Sequence, residues 1–354
     1  MIMSYQDGMA AINLKMPDRV PRTEYSAETH WDLVNKVCGA HVTFASSQSE
    51  QEKAARAFRT AWNYDFLWNV LFSHEQFGKY YTDMGHANYA SGNVDFRAAG
   101  QSVFKDAGDV LSFDPIETLG VKNEKELVNQ LNANYNNIRG QNPEMVNMTG
   151  IYITIMSGLI GLFGWELLLE AAGTDPEAFG DMTNRYAAWA SQYFKALAKS
   201  DAPVIMVHDD IVWSSGAFLN PEWYRKFIFP NYKKLFTGLV EAEKKIMYTS
   251  DGNYTEFIDD IAACGVNGFV MEPMTDMRYI AEKYGKTHVF IGNADTRVLL
   301  SGTKEDINNE VKRCMDIGKK YPGFFMAVGN HIPANTPVNN ALWYNECYEK
   351  QCRR

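Results

Sequence analysis

The chain has 354 residues, a formal net charge of −9 and a pI near 5.4, with 46% hydrophobic and 22% charged residues. Without clustered Lys and Arg it lacks the electrostatic footprint of a nucleic-acid surface, and no apolar run approaches the roughly 20 residues that span a bilayer. The length is that of one (β/α)₈ barrel with insertions, so a single domain over residues 1–354 is expected, and cysteines without C-x-x-C spacing (Cys38, Cys264, Cys314, Cys347, Cys352) point to a reducing cytoplasm.

In chain order, residues 1–16 contain Asp7 and Lys15 and no long apolar core, which argues against a signal peptide and for an N-terminal extension. Residues 20–24 are expected as the first strand, 31–37 and 50–62 as helices, 66–72 as the second strand and 150–156 as the third. Between these last two lies an insertion, 78–115, rich in Tyr, Asn, Asp and Gly, the composition of a lid or substrate wall. Segment 158–164 carries Gly158, Gly161 and Gly164 but neither a phosphate-loop Lys-Ser/Thr nor G-x-G-x-x-G, so it reads as close packing or a loop wall.

From residue 203 onward strand and helix alternate: 203–208 with helix 221–239, 245–249 with 255–263, 268–271 with 277–284, 288–292 with 304–317, and 324–328 with 339–349. Each strand is a short apolar run without polar alternation, as expected of a parallel strand covered on both faces. Asn220 before Pro221 supplies an N-cap and a first-turn proline. The pattern is that of an α/β chain folded as a (β/α)₈ TIM barrel with an N-terminal extension and a long loop insertion.

In such a barrel the residues just past each apolar run converge on one mouth. They are Glu24 and Glu28; His74; His208, Asp209 and Asp210; Thr249, Ser250 and Asp251; Glu272; Asn293 and Asp295; and Asn330 and His331. The set is rich in carboxylates, imidazoles and amides, which suits proton transfer to a small substrate or an oxygen/nitrogen metal site. Each residue also has a structural reading. Asp209 or Asp210 can cap the next segment, His208 can be a satisfied core histidine, His74 precedes a polar helix and reads as surface, and Asp251-Gly252-Asn253 is good turn chemistry. Glu272 resists that reading, because a carboxylate ending the run 268–271 is costly to bury without a purpose. Trp213 and Tyr248 stand beside the tips, where a planar ring can stack.

These tips spell a pattern: Asp209-Asp210-Ile211, Asn220-Pro221-Glu222-Trp223-Tyr224, Ser250-Asp251-Gly252-Asn253, Gly292-Asn293-Ala294-Asp295 with Leu300-Ser301-Gly302-Thr303, and Asn330-His331-Ile332-Pro333. Over residues 150–350 this resembles the uroporphyrinogen decarboxylase superfamily, which includes cobalamin-dependent methyltransferases, and the resemblance implies a barrel with a deep mouth. Departures narrow the branch. Where the porphyrinogen decarboxylases carry Arg-Gln-Ala-Gly-Arg, this chain reads Arg19-Val20-Pro21-Arg22-Thr23-Glu24. Where the thiol-alkylating branch binds zinc through His-x-Cys and a later Cys, it has Thr249, Asp251 and Asn330.

The remaining branch demethylates methoxylated or methylated compounds onto a separate corrinoid protein. Its zinc motif, Glu-x₁₄-Glu-x₂₀-His, matches Asp295, Glu310 and His331 in spacing, although helix geometry is expected to turn Glu310 away from the mouth and to favour Asp251, Glu272, Asp295 and His331 as metal ligands. The resemblance thus implies a substrate:corrinoid methyltransferase that moves a methyl group from a methoxylated, chiefly aromatic, donor to the cobalt of a partner protein, with zinc as the candidate metal. The chain holds no cobalamin-ligand Asp-x-His-x-x-Gly of its own. Expected catalytic residues are His331, His208, Asp209, Asp210, Asp251 and Glu272, with Trp213, Tyr248, Asn293 and Asn330 at the substrate. The alternative is a cofactor-independent decarboxylase of a small or tetrapyrrole acid, which arginines at the mouth (Arg22, Arg97, Arg278, Arg297) would favour.

Overall fold

Short apolar runs become strands only by pairing, and here they pair in parallel. The computed structural model describes residues 5–82 and 102–354. Strands β1 (Phe66–Leu67), β2 (Val146–Asn147), β3 (Thr149–Ile151), β4 (Val204–His208), β7 (Lys245–Ser250), β8 (Gly268–Met271), β9 (Val289–Ile291) and β10 (Phe324–Phe325) make two parallel ladders. One is the pair β1-β2 and the other runs β3-β4-β7-β8-β9-β10. A small antiparallel hairpin, β5 (Val212–Trp213) with β6 (Gly216–Ala217), stands apart after β4.

Isolated bridges link the ladders and the segment 20–24 to one another. The segment 20–24, expected as the first strand, pairs in parallel through Arg22 with Met326 beyond β10, and the Asp65 N–H donates to the Arg22 carbonyl at 2.8 Å on its other side. Phe72 bridges Ile151, so the second and third barrel runs meet again past β1. The eight runs are therefore arranged as a (β/α) barrel that continuous ladders do not close, with single contacts where the ladders stop.

Alternation along each strand decides which side chains reach the interior. In β4, Val204 and Met206 belong to the inner core with Met247, Val270, Val289, Ile291 and Phe325, whereas Ile205 and Val207 join the outer core under the helices. His208 continues the inner row, and Asp209 falls on the outer one. Ala11 and Ile12 of helix Tyr5–Ile12 also enter the inner core, so this N-terminal segment plugs the barrel opposite the mouth.

The C-terminal half follows expectation closely: helix Met277–Tyr284 has the expected bounds, while 221–239 divides into Pro221–Phe227 and Phe229–Glu241 around Ile228, with Pro230 starting the second piece. Between 124 and 199 the sequence reading assigned no helix, yet Glu124–Gln141, Met156–Thr174 and Pro176–Lys199 are helices. The first half of Met156–Thr174 is buried on every side, so it carries no amphipathic period to read. It also contains the glycines of 158–164, and the close-packing reading holds for Gly158, where a Cβ would lie 1.9 Å from the Tyr186 hydroxyl. The third strand ends at Ile151, earlier than expected, since residues 152–155 leave the sheet and lead into this helix. Of the insertion 78–115, residues 83–101, including Arg97, lie outside the described residues.

Candidate active site

At the C-terminal ends of the strands a cavity of about 350 Å³ opens, lined by Tyr25, Val70, Ser73, His74, Tyr152, His208, Thr249, Ser250, Asp251, Val270, Met271, Gly329, Asn330 and His331. A second recess of about 290 Å³ shares Asp251 with it and adds Trp165, Asp210, Val212, Trp213, Ser214, Gly252 and Glu272. Among the described residues, neither lining contains Lys or Arg. The strand tips have therefore been gathered into one acidic mouth with an aromatic edge.

The tip of β4 separates its three ionisable residues by side. His208 faces the cavity, its Nε2 3.4 Å from Asp210 Oδ1, with the Tyr152 ring edge-on at 4.7 Å. Burial drives the His208 imidazole down to about 3, so that contact joins a neutral ring to a carboxyl group and is not an ion pair. Asp210 accepts the Asp251 N–H at 2.9 Å. Burial, with smaller contributions from the charges of Asp209 and Glu272, pushes it up to about 7, and burial with the same kind of crowding raises Asp251 well above the usual carboxylate range.

Asp209 points the other way. Its Oδ1 accepts the N–H groups of Ile155 and Ser157 at 3.2 and 2.7 Å, and its Oδ2 accepts the Tyr232 hydroxyl at 2.5 Å. It thus caps helix Met156–Thr174 from a neighbouring strand, filling the place that Ile155 cannot. This corrects the expectation that it acts on substrate. Tyr248, also on the outer face of its strand, is fully buried and donates to the Asp209 carbonyl at 3.1 Å, so it does not present a ring to the cavity.

Glu272 and Asn330 connect three tips. Glu272 Oε2 accepts the Gly252 N–H at 2.6 Å, Asn330 Nδ2 donates to Glu272 Oε1, and Asn330 Oδ1 accepts the His331 N–H at 2.8 Å. Gly252 is required here: its φ is +82°, and a Cβ would lie 2.6 Å from the Trp213 carbonyl oxygen. The Asn253 N–H donates to that same carbonyl and pins the β5–β6 hairpin, so Trp213, 45% exposed, forms the rim. His331 lines the cavity with its Nδ1 2.8 Å from Ser26 Oγ, and burial lowers its pKa.

The spaced set Asp295, Glu310 and His331 does not assemble as a metal centre. Asp295 caps helix Thr296–Ser301 and pairs with Arg297 at 2.7 Å. Glu310 does reach back to that tip, contrary to the helix-geometry expectation, but its Oε1 accepts the Asp295 N–H at 2.8 Å and both its oxygens accept from Arg313. Two carboxylates neutralised by guanidinium groups have little left to offer a metal. Asn293, expected at the substrate, is fully buried and holds Glu272 and Thr275 carbonyls with its amide while accepting from Arg313. Among the described residues, the group of three or more His, Cys, Asp or Glu side chains whose ligand atoms approach one another is His208, Asp210 and Asp251, all within 4.8 Å.

Of the arginines weighed for a carboxylate substrate, the three among the described residues are elsewhere. Arg22 is fully buried, paired with Glu24 at 3.0 Å and stacked over Trp62 and Tyr348, while Arg278 is exposed beside Glu282 and Arg297 serves Asp295. The sequence reading passed over Tyr25 and Tyr152 as cavity residues and Ser26 as the partner of His331, and placed His74 at the surface. His74 instead lines the cavity, stacked on Tyr81 at 3.8 Å. The signal for Tyr25 was its place directly after the run 20–24, whereas Tyr152, directly after β3, fell inside the run 150–156 expected as the third strand.

Comparison with known proteins agrees with this architecture. The uroporphyrinogen decarboxylase (URO-D) family model matches residues 97–350. The uroporphyrinogen decarboxylase of Geobacter metallireducens is 25% identical over 186 residues, 52% of this chain and 53% of its own, and that of Carboxydothermus hydrogenoformans is 28% identical over 171 residues, 48% and 47%. The chain spans about half the length of the curated relatives it matches. A solved methyltransferase from Methanosarcina mazei shares the fold with a TM-score of 0.66 at 17% identity, over 98% of this chain and 99% of that one. No helix among the described residues is long and apolar enough to cross a membrane. A parallel barrel whose polar tips meet at one mouth, with the family match over the segment that builds most of it, makes this chain a member of the uroporphyrinogen decarboxylase family.

Proposed function

We propose that this chain is the substrate-binding methyltransferase of a demethylase system, taking a methyl group from a methoxylated, chiefly aromatic, donor and delivering it to a corrinoid on a partner protein. The observation that carries the reading is the lining of the mouth. A porphyrinogen brings several carboxylates, and a cavity lined by Asp210, Asp251 and Glu272, without Lys or Arg among its described lining residues, offers them no cation to pair with. A neutral methyl ether meets no such penalty, and Tyr25, Tyr152 and His331 offer flat surfaces for a ring.

The corrinoid supplies the nucleophilic metal that accepts the methyl group. The chain's own residues hold the donor and stabilise the oxygen left behind. In the tautomer in which the Ser26 hydroxyl donates to Nδ1, the neutral His331 ring carries its proton on Nε2 and can donate a hydrogen bond to the ether oxygen as negative charge develops there. Cavity carboxyl groups hold protons near neutral pH and can return one to the departing phenolate. Asn330 and Glu272 fix the His331 backbone.

The test is incubation of the purified chain with reduced corrinoid protein and a panel of aryl and alkyl methyl ethers, following the cobalt(I) absorbance and the demethylated product. Product that forms only when corrinoid is present supports the reading. Release of carbon dioxide from a porphyrinogen or a small acid by the chain alone would overturn it in favour of decarboxylation, the activity in the names of the relatives above.

A further inference from the structure

We infer that His208, Asp210 and Asp251 form a binding site for one divalent transition-metal ion with nitrogen and oxygen ligands, distinct from the set that family spacing points to. Their ligand atoms all lie within 4.8 Å of one another. The His208 Nε2 to Asp210 Oδ1 separation of 3.4 Å is close to the roughly 3.3 Å between two ligands on a tetrahedral ion with bonds of about 2.0–2.1 Å.

Three further features favour a cation. The first is charge: Asp210, Asp251 and Glu272 surround the point, without Lys or Arg among the described residues of either recess lining. Next, Thr249 is paired in register with His208, so both side chains leave the sheet on the same face. Thr249 lines the same cavity at only 7% exposure, so its hydroxyl oxygen stands beside the imidazole as a further neutral oxygen donor, near the Tyr25 hydroxyl. Last, the ligands are already held: the Asp210 N–H donates to Ser157 Oγ, the Asp251 N–H donates to Asp210 Oδ1, and Tyr152 packs against the imidazole. Asp251 is exposed to the cavity, which gives an ion its way in. One imidazole with two carboxylates and no thiolate suits zinc, manganese(II) or iron(II) better than magnesium or copper(I).

The measurement is calorimetric titration of chelator-treated full-length protein with zinc and, separately, manganese(II), which needs neither methyl donor nor corrinoid and so stands or falls independently of the proposed activity. The expected result is one ion per chain, with affinity reduced tenfold or more in Asp251→Asn and in His208→Ala. Asp295→Asn and Glu310→Gln should bind as the parent does. X-ray absorption of the zinc-loaded protein should show nitrogen and oxygen neighbours with imidazole scattering and no sulfur shell. Asp251→Asn changes no volume at a cavity-exposed position, so its melting curve should match the parent and keep the test valid if His208→Ala fails to fold. Absence of stoichiometric binding by the parent, or binding that survives Asp251→Asn and disappears in Asp295→Asn, would overturn the assignment.

Discussion

Adjacent residues with the same chemistry have opposite duties at the tip of β4. Asp209 accepts three hydrogen bonds on the outer face, and no amide side chain can accept all three in the same geometry. Asp209→Asn should lower the denaturant midpoint by an amount equivalent to about 1–3 kcal/mol, the usual cost of leaving buried polar groups unmatched. An unchanged midpoint with lost turnover would return Asp209 to the catalytic set. His331→Ala is expected to behave in the reverse manner. It should keep its melting temperature while demethylation falls about 10²- to 10³-fold, the range for deleting one donor to a developing oxyanion. A variant that melts early, or that turns over every methyl ether normally, would mark His331 as structural and make His208 the next candidate.

Elements in this fold depend on close approaches that a sequence reader meets only as composition. Helix Met156–Thr174 passes so near Pro176–Lys199 that Gly158 lies against Tyr186, whose hydroxyl donates to the Ile153 carbonyl at 2.8 Å. Gly158→Ala must displace that ring and should destabilise by about 1–3 kcal/mol despite the better helix propensity of alanine. The double variant Gly158→Ala, Tyr186→Phe should recover part of the loss, and an unperturbed single variant would refute the packing argument. Asp295 illustrates pH linkage at a helix start. Burial alone would raise its pKa, but hydrogen bonds and charge from Arg297 outweigh burial and hold it below the ordinary carboxylate value. A depressed folded-state pKa adds stability that is present above the unfolded value near 3.9 and is lost as pH falls through the folded value. Asp295→Asn should therefore flatten the stability profile in that acid range, and melting curves from pH 2 to 6 would check it.

At the scale of the whole molecule, the barrel is joined across residues 20–24 by Arg22, which bridges the last strand through its backbone and carries a buried side chain among Trp62, Tyr344 and Tyr348. Its partner Glu24 also accepts the Val328 N–H and the Tyr344 hydroxyl, which ties the first strand to the last strand and the final helix. Arg22→Met strands a buried carboxylate and should cost about 3–5 kcal/mol, while Arg22→Met with Glu24→Gln should cost less than the single change. Equal losses in both variants would show that the stacking, not the charge pair, holds this seam.

The sequence by itself determined the barrel and part of the set at its mouth, such as His208, Asp251 and Asn330, because parallel strands buried on both faces must be apolar until they end, and the polar residue after each run marks that end. It also marked the C-terminal helices through caps such as Asn220-Pro221, and Asp175-Pro176 held the same signal for the 24-residue helix that was passed over. The inward and outward roles of His208 and Asp209 were half legible, since alternation from Val204 would have assigned them. Only the tertiary structure decided the rest. Whether Asp295 and Glu310 are ligands or ion-pair partners depends on where Arg297 and Arg313 lie. Whether Tyr25, Tyr152 and His74 line a cavity or fill a core depends on strands distant in sequence. The apolar first half of Met156–Thr174 became a helix with its surroundings on every side. Spacing fixes where a side chain leaves the backbone, and the neighbours brought by the other strands and helices fix what that side chain can still bind.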